Sequence, residues 1–141
     1  AWWAHERGIA IDTPAVHPFT PLPLLRLVTA CGPNRRVVEA VMRYVWIGGH
    51  DAADPARVAA LAQGLAPARD PASVEVKSEL RAASDDAIAR GVFGVPTFEL
   101  EGRLFWGVDA LPMLRAALLG DPWFAGPAWD AAAQPRPGVV R

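Results

Sequence analysis

The chain has 141 residues, a formal net charge of −1 at pH 7 and a hydrophobic fraction of 52%. This length suits one domain with its own core and is too short to expect two. The small negative charge argues against a nucleic-acid partner, and the lack of an apolar run of about 18 residues argues against a membrane span. The single cysteine, Cys31, permits neither an internal disulfide nor a cysteine-rich metal site, so we expect no metal and a cytoplasmic location.

The first 23 residues predict a helix end, a strand and a loop. Residues 1–7 have the character of a helix tail, and Gly8 is its stop signal. Residues 8–12 alternate in hydrophobicity as a short strand does. Residues 13–23 contain four prolines. Because proline fits neither a helix interior nor a sheet ladder, this segment is predicted to be a loop.

A helical block without strands is predicted over about residues 20–92. Its helices are expected at residues 24–31, 35–47, 54–65 and about 72–90. Asp54 is the predicted N-cap of the third helix, with Pro55 in its first turn, and Gly91 ends the fourth. The side chains predicted to face inward from the second helix are Val37, Val38, Val41, Met42, Val45 and Trp46.

The last third of the chain predicts a β-hairpin followed by a helix. Residues 97–100 and 104–106 flank a short turn at Glu101–Arg103 that contains Gly102. Asp109 is the predicted N-cap of a helix that continues to about Leu119, and residues 121–141 are predicted to be an irregular surface tail. Periodicity alone therefore indicates an α plus β protein with segregated helices.

The most informative run is Gly91-Val92-Phe93-Gly94-Val95-Pro96-Thr97-Phe98, directly before the first hairpin strand. If the Val95–Pro96 bond is cis, the turn exposes the N–H and C=O of Val95, and an extended peptide can pair there as an added strand. The alternative is a trans proline that only begins the strand, and cis bonds are about 5–6% of X-Pro bonds.

This run resembles the C-terminal motif of the DsbA-like branch that contains the kappa-class glutathione transferases and the 2-hydroxychromene-2-carboxylate isomerases. The further matching segments are His17–Pro23, Glu101-Gly102, Leu104–Asp109 and Asp121–Phe124. The resemblance implies an α/β fold of the thioredoxin-like, DsbA/kappa type, with a cis Val95–Pro96 bond. The chain would be a single partial domain over residues 1–141, with about 20–92 as a helical insertion and 93–120 as the hairpin and C-terminal helix.

The resemblance also implies a glutathione site and an aromatic substrate. The residues implied to bind glutathione are Val95, Pro96, Trp106, Gly107, Val108 and Asp109. The loop at His17–Pro23 corresponds to the part that shapes the substrate pocket, so Thr20 and Pro21 are the implied substrate contacts. The family motif has Asn where this chain has Thr20, which leaves the exact substrate open. For Asp109 the alternative is a role as a helix cap only, and for His17 a structural or solvated histidine is the favoured role.

Members of the family begin with a strand and an active-site turn that carries Ser, or Cys in the oxidoreductases. No serine of this chain has that context, so we expect the first strand and this turn to be absent and no catalytic residue to be present. The chain alone is expected to be inactive, and either marginally stable or exposing a large apolar surface. The N-terminal Ala1 fits an N-terminally truncated protein.

The implied function is glutathione-dependent cis–trans isomerisation of an aromatic α-keto acid of the 2-hydroxychromene-2-carboxylate type, in the degradation of aromatic compounds. Related proteins are often dimers, so a homodimer is implied by analogy. One alternative is another enzyme of the DsbA branch, a glutathione transferase or a thiol-disulfide oxidoreductase. The other is a non-catalytic module that binds a partner protein.

Overall fold

The computed structural model describes residues 2–133 of the chain, which divides into two compact units at residues 1–86 and 87–141. The helices of the first unit are α1 (Trp2–Glu6), α2 (Leu22–Cys31), α3 (Arg35–Trp46), α4 (Pro55–Leu65) and α5 (Val74–Ala89), the last of which ends just beyond the division. The second unit contains β1 (Thr97–Leu100), β2 (Arg103–Trp106), α6 (Leu111–Leu118) and α7 (Pro127–Ala133). Within residues 2–133, no helix combines the length and apolar character that crossing a bilayer requires.

The core of the first unit lies between α2, α3 and α4. Its buried residues are Leu24, Leu27, Val37, Val41, Val45, Ala52 and Leu65. Two of the helices around this core have side-chain N-caps. Asn34 Oδ1 accepts from Val37 N at 3.1 Å at the start of α3, and Asp54 Oδ1 accepts from Arg57 N at 2.9 Å at the start of α4. The predicted cap at Asp54 is therefore confirmed.

The inward face of α3 is narrower than predicted. Val37, Val41 and Val45 are buried at the four-residue spacing of one helix face. Val38 and Met42 expose 40% and 55% of their surface, so the prediction that they face inward is wrong. Each follows a buried valine by one residue, which turns it about 100° around the helix axis.

The segment before α2 differs from its predicted structure. Residues 9–13 have no regular secondary structure and do not form a strand. Asp12 N donates to Trp46 O at 2.8 Å, and Gly48 N donates to Asp12 Oδ2 at 2.8 Å, so hydrogen bonds at Asp12 go to the end of α3 instead of to a neighbouring strand. Pro23 lies in the first turn of α2, where a helix tolerates proline, and not in the preceding loop.

The second unit is built on the β1–β2 hairpin. The strands pair antiparallel, with Phe98 opposite Phe105 and Leu100 opposite Arg103. Glu101 and Gly102 form the two-residue turn with φ values of 52° and 76°, as the twist of a tight hairpin requires. The predicted hairpin is confirmed, with β2 beginning one residue earlier, at Arg103.

Residues 122–133 pack on the hairpin, so the prediction of an irregular surface tail is wrong for them. A 3₁₀ helix at Pro122–Ala125 precedes α7 and buries Phe124. The Phe105 ring lies 6.0 Å from the Phe124 ring and 5.8 Å from the Trp129 ring. Burial of these aromatic side chains overrides the loop-like Pro, Gly and Ala composition. The rest of the predicted tail, residues 134–141, lies outside the described residues.

Candidate functional site

The candidate site begins where the β1–β2 ladder ends. The Val95–Pro96 peptide bond is cis. Pro96 lacks an N–H, but its carbonyl accepts from Gly107 N at 2.9 Å. This bond joins the loop before β1 to the turn after β2, and so brings the two halves of the predicted glutathione site together.

Val95 is exposed, and its backbone N–H and C=O are unpaired among the described residues. The residue is 88% exposed. Among the residues that the structure describes, neither its N–H nor its C=O has a hydrogen-bond partner. A free donor and a free acceptor on one residue beside a strand can pair with an extended peptide.

The turn after β2 is shaped by Gly107 and Asp109. Gly107 has a φ of 91°, a region that favours glycine. A Cβ on Gly107 would also collide with Asp109 Oδ1, so the carboxylate lies directly over this backbone. Within residues 2–133, the Asp109 carboxylate has neither a hydrogen-bond nor an ion-pair partner. It is exposed and free to receive a cation.

The predicted N-cap role of Asp109 is wrong. Asp109 lies inside a 3₁₀ helix at Val108–Ala110, and α6 begins after it at Leu111. The N-cap position of α6 is Ala110, which makes no side-chain cap. The Asp109 carboxylate accepts no hydrogen bond from the first N–H groups of α6, so capping does not account for Asp109.

Trp106 and Val108 complete this part of the site. Each exposes about half of its surface, 52% and 55% respectively. Phe93 was not among the predicted site residues, but its ring lies 4.9 Å from the Trp106 ring and is 75% exposed. The sequence signal that could have identified Phe93 is its position as an aromatic residue next to Gly94, just before an exposed turn.

The predicted substrate residues lie in the other unit. Thr20 and Pro21 are exposed just before α2, and Pro21 O accepts from Leu25 N at 3.0 Å as the first bond of that helix. The preceding His17–Pro18 bond is also cis. The His17 ring is exposed and lies 6.2 Å from the Phe19 ring and 5.9 Å from the Trp46 ring.

Two aromatic residues of α3 have different surroundings. Tyr44 donates its hydroxyl to Ala52 O at 3.2 Å and lies under the Arg57 guanidinium, and partial burial raises the pKa of Tyr44. Trp46 is half-buried against the helical core. Trp46 also lines an open groove of about 670 Å³, together with residues 8–11 and the exposed side of α3.

The comparisons with known proteins agree with this architecture. Residues 1–119 match the DSBA-like thioredoxin domain, and the chain belongs to this family. A solved structure of 2-hydroxychromene-2-carboxylate isomerase (HCCA isomerase) is similar with a TM-score of 0.66 at 23% identity. No curated protein matches the sequence.

The similarity to HCCA isomerase extends over 95% of this chain and 66% of the isomerase chain, so this chain spans less than two thirds of that length. At 23% identity the likeness shows the fold. The family and the fold class predicted from the motifs are confirmed: the protein has a DsbA-like thioredoxin fold, with a helical majority and a small antiparallel sheet.

Proposed function

We propose that this chain carries the glutathione-binding part of a glutathione-dependent isomerase that acts on an aromatic α-keto acid of the 2-hydroxychromene-2-carboxylate type. The observation that carries the proposal is the unpartnered backbone of Val95, tied through Pro96 and Gly107 to the free carboxylate of Asp109. The fold shared with HCCA isomerase supports the reaction type. Such an enzyme would serve the degradation of aromatic compounds.

The chemistry of the site suits glutathione. Its cysteinyl residue has one N–H and one C=O, which the C=O and N–H of Val95 complement as a short added strand. Its γ-glutamyl end carries an ammonium group, for which the exposed carboxylate of Asp109 is the matching partner. Trp106, Gly107 and Val108 form the turn between these two contacts and supply the remaining surface.

Each group of the chain would have a binding or orienting role. When bound, glutathione supplies a thiol whose reversible addition to the carbon–carbon double bond of the substrate permits rotation about that bond. Val95 fixes the orientation of the peptide, and Asp109 fixes its amino end. Thr20 and Pro21 contribute to the substrate-binding loop, where the Thr20 hydroxyl can donate or accept a hydrogen bond. Holding glutathione in a fixed orientation lowers the entropic part of the barrier to its addition.

Activation of the thiol is not assigned to any residue of this chain. Ser73 Oγ accepts from Val76 N at 3.2 Å, and Ser84 Oγ donates to Leu80 O at 2.9 Å, so both hydroxyls are used within or at the start of α5. Cys31 is half-buried at the end of α2 and packs against the helical core. We therefore expect this chain to bind glutathione without catalysing isomerisation alone.

Calorimetric titration tests the binding step. We expect the chain to bind glutathione and the analogue whose thiol is replaced by a methyl group with similar affinity, because neither Val95 nor Asp109 contacts the sulfur. The dipeptide Cys-Gly, which lacks the γ-glutamyl group, should bind about tenfold more weakly because it lacks the ion pair with Asp109. Absence of glutathione binding would overturn the proposal.

The reaction is tested separately. Absorbance of 2-hydroxychromene-2-carboxylate is followed with glutathione, first with this chain and then with this chain extended at its N-terminus by the strand and Ser turn that the family resemblance implies. Glutathione-dependent turnover by the extended chain is the expected result. Binding of glutathione without such turnover would instead favour a glutathione transferase, and exchange with a protein disulfide would favour an oxidoreductase.

A further inference from the structure

We propose that Gly94 is a positioning residue for the peptide-binding backbone of Val95, and that it acts through the indole of Trp106. This inference rests on the proposed role of Val95 in glutathione binding. Gly94 lies in the motif at residues 91–98, but neither the family resemblance nor the similar proteins assign a role to it.

The absent side chain of Gly94 makes room for the indole. A Cβ on Gly94 would lie 2.6 Å from Nε1 of Trp106, 3.3 Å from its Cε2 and 3.4 Å from its Cδ1. The φ of Gly94 lies outside the left-handed region, unlike that of Gly91 or Gly107. The requirement for glycine at position 94 therefore comes from the close approach of Trp106 and not from a left-handed backbone.

The indole is held from further directions. The Phe93 ring lies against it, with centroids 4.9 Å apart and an interplanar angle of 51°. Trp106 is opposite Thr97 in the ladder, and Thr97 Oγ1 donates to Gly94 O at 2.6 Å. The loop before β1 therefore packs against the indole. The hydrogen bond from Thr97 ties this loop to β1 at the residue that pairs with Trp106.

Both residues that flank Val95 in the chain are held in place by contacts with β1 or β2 and the turn after it. Gly94 is held through Trp106 and Thr97, and Pro96 is held through its bond to Gly107 N. Val95 itself makes no backbone hydrogen bond within the described residues, so its direction is set by these two neighbours. Placing a methyl group at position 94 even 3.0 Å from Trp106 Nε1 needs a shift of at least about 0.4 Å. Reaching the 3.4 Å at which ordinary van der Waals contact begins needs a shift of about 0.8 Å. This exceeds the error of about 0.5 Å that a binding constellation tolerates.

The first test compares Gly94→Ala with Gly64→Ala. Gly64 lies in α4, and a Cβ there would meet nothing within 4 Å, so this control adds the same methyl group without a collision. We expect Gly94→Ala to weaken glutathione binding about tenfold and Gly64→Ala to leave it unchanged. In heteronuclear NMR of the free protein, Gly94→Ala should shift the Trp106 indole N–H and the Val95 amide, which Gly64→Ala should not.

A double-mutant cycle tests whether Gly94 acts through Trp106. The smaller ring of Trp106→Phe removes Nε1, so in that background Gly94→Ala should weaken glutathione binding by less than about twofold. An equal loss of affinity with and without the indole would overturn the inference. Phe93→Leu provides an independent variant, since Phe93 is exposed and its loss should leave folding intact. It should shift the same two resonances.

The two NMR signals also separate this inference from the proposed function. They are measured without ligand, so they report on positioning even if the chain does not bind glutathione. Unchanged Trp106 and Val95 resonances in both Gly94→Ala and Phe93→Leu would overturn the positioning role. Absence of glutathione binding by the unaltered protein, with both resonances shifted in the variants, would overturn the proposed function alone.

Discussion

The carbonyl of Pro96 accepts a hydrogen bond from Gly107 N at 2.9 Å, where the β1–β2 ladder ends. The bond joins the residue after Val95 to the residue two positions before Asp109. The two groups that we propose to contact different parts of one tripeptide are therefore linked by local structure within a single hairpin. Their relative position depends on the ladder and on two turns, and these turns can be altered separately.

Gly107→Ala should weaken glutathione binding by about tenfold or more, because the new methyl group displaces the Asp109 carboxylate. It should also lower stability by about 1 kcal/mol or more, since an Ala at this φ is strained. Calorimetry and urea unfolding measure the two effects.

Gly102→Ala is the matched control. Gly102 also has a positive φ, 76°, but a Cβ there meets nothing within 4 Å. It should show a comparable loss of stability without a loss of affinity. Equal losses of affinity in the two variants would mean that backbone strain, and not the position of Asp109, controls binding.

Asp109→Asn separates a ligand contact from a helix cap. Because the carboxylate has no partner within the described residues and does not cap α6, the variant should keep its unfolding midpoint. It should bind glutathione about tenfold more weakly, having lost a charge-assisted contact. Asp54→Ala, which removes an observed cap, should instead cost about 1 kcal/mol and leave binding unchanged. A fall in stability of Asp109→Asn to the level of Asp54→Ala would contradict this assignment.

Local signals in the sequence predicted much of this fold. The cap at Asp54 and the turn at Gly102 depend on short-range hydrogen bonds and backbone angles, which a few residues determine. The proposed glutathione site was suggested by one motif and its family resemblance. The structure brings the residues predicted for it into one hairpin and its adjoining turns.

The failures depend on contacts between distant residues. Residues 8–12 have the alternation of a strand, but alternation cannot reveal that Asp12 bonds to Trp46 and Gly48. The aromatic side chains of residues 123–129 looked like part of a surface tail because their partner, Phe105, is about twenty residues away in the hairpin. The cap at Asp109 failed because a 3₁₀ turn precedes α6, and a single Asp suits either structure.

Phe124→Ala tests whether residues 122–133 are part of the core of the second unit. Phe124 is buried against Phe105 and Trp129, so its truncation should lower stability by about 3–5 kcal/mol. Trp123→Ala removes a larger side chain that is 43% exposed, and it should have a clearly smaller effect. Unfolding in urea gives both values. A smaller loss for Phe124→Ala than for Trp123→Ala would mean that the segment does not pack in solution as described.

The Arg69–Glu79 pair should make stability depend on pH in the acid range. Arg69 Nη1 donates to Glu79 Oε2 at 2.5 Å, and Arg69 Nη2 donates to Thr29 O at 2.6 Å. The hydrogen bond from Arg69 lowers the pKa of Glu79 below its usual 4.5. The folded state therefore favours the ionised carboxylate, and this stabilisation is complete above the pKa of the unfolded chain.

As the pH falls through the lowered folded-state pKa of Glu79, this stabilisation is lost. Glu79→Gln should therefore be less stable than the unaltered protein at neutral pH, and the difference should shrink towards pH 3. Because both side chains are solvent-exposed, added salt should reduce the difference at neutral pH as well. Urea midpoints measured from neutral to acid pH give the comparison. In an Arg69→Ala background, Glu79→Gln should leave the pH profile unchanged, since the cation that lowers the pKa is gone. A difference between Glu79→Gln and the unaltered protein that stays constant from neutral pH to pH 3 would mean that the pair does not form in solution.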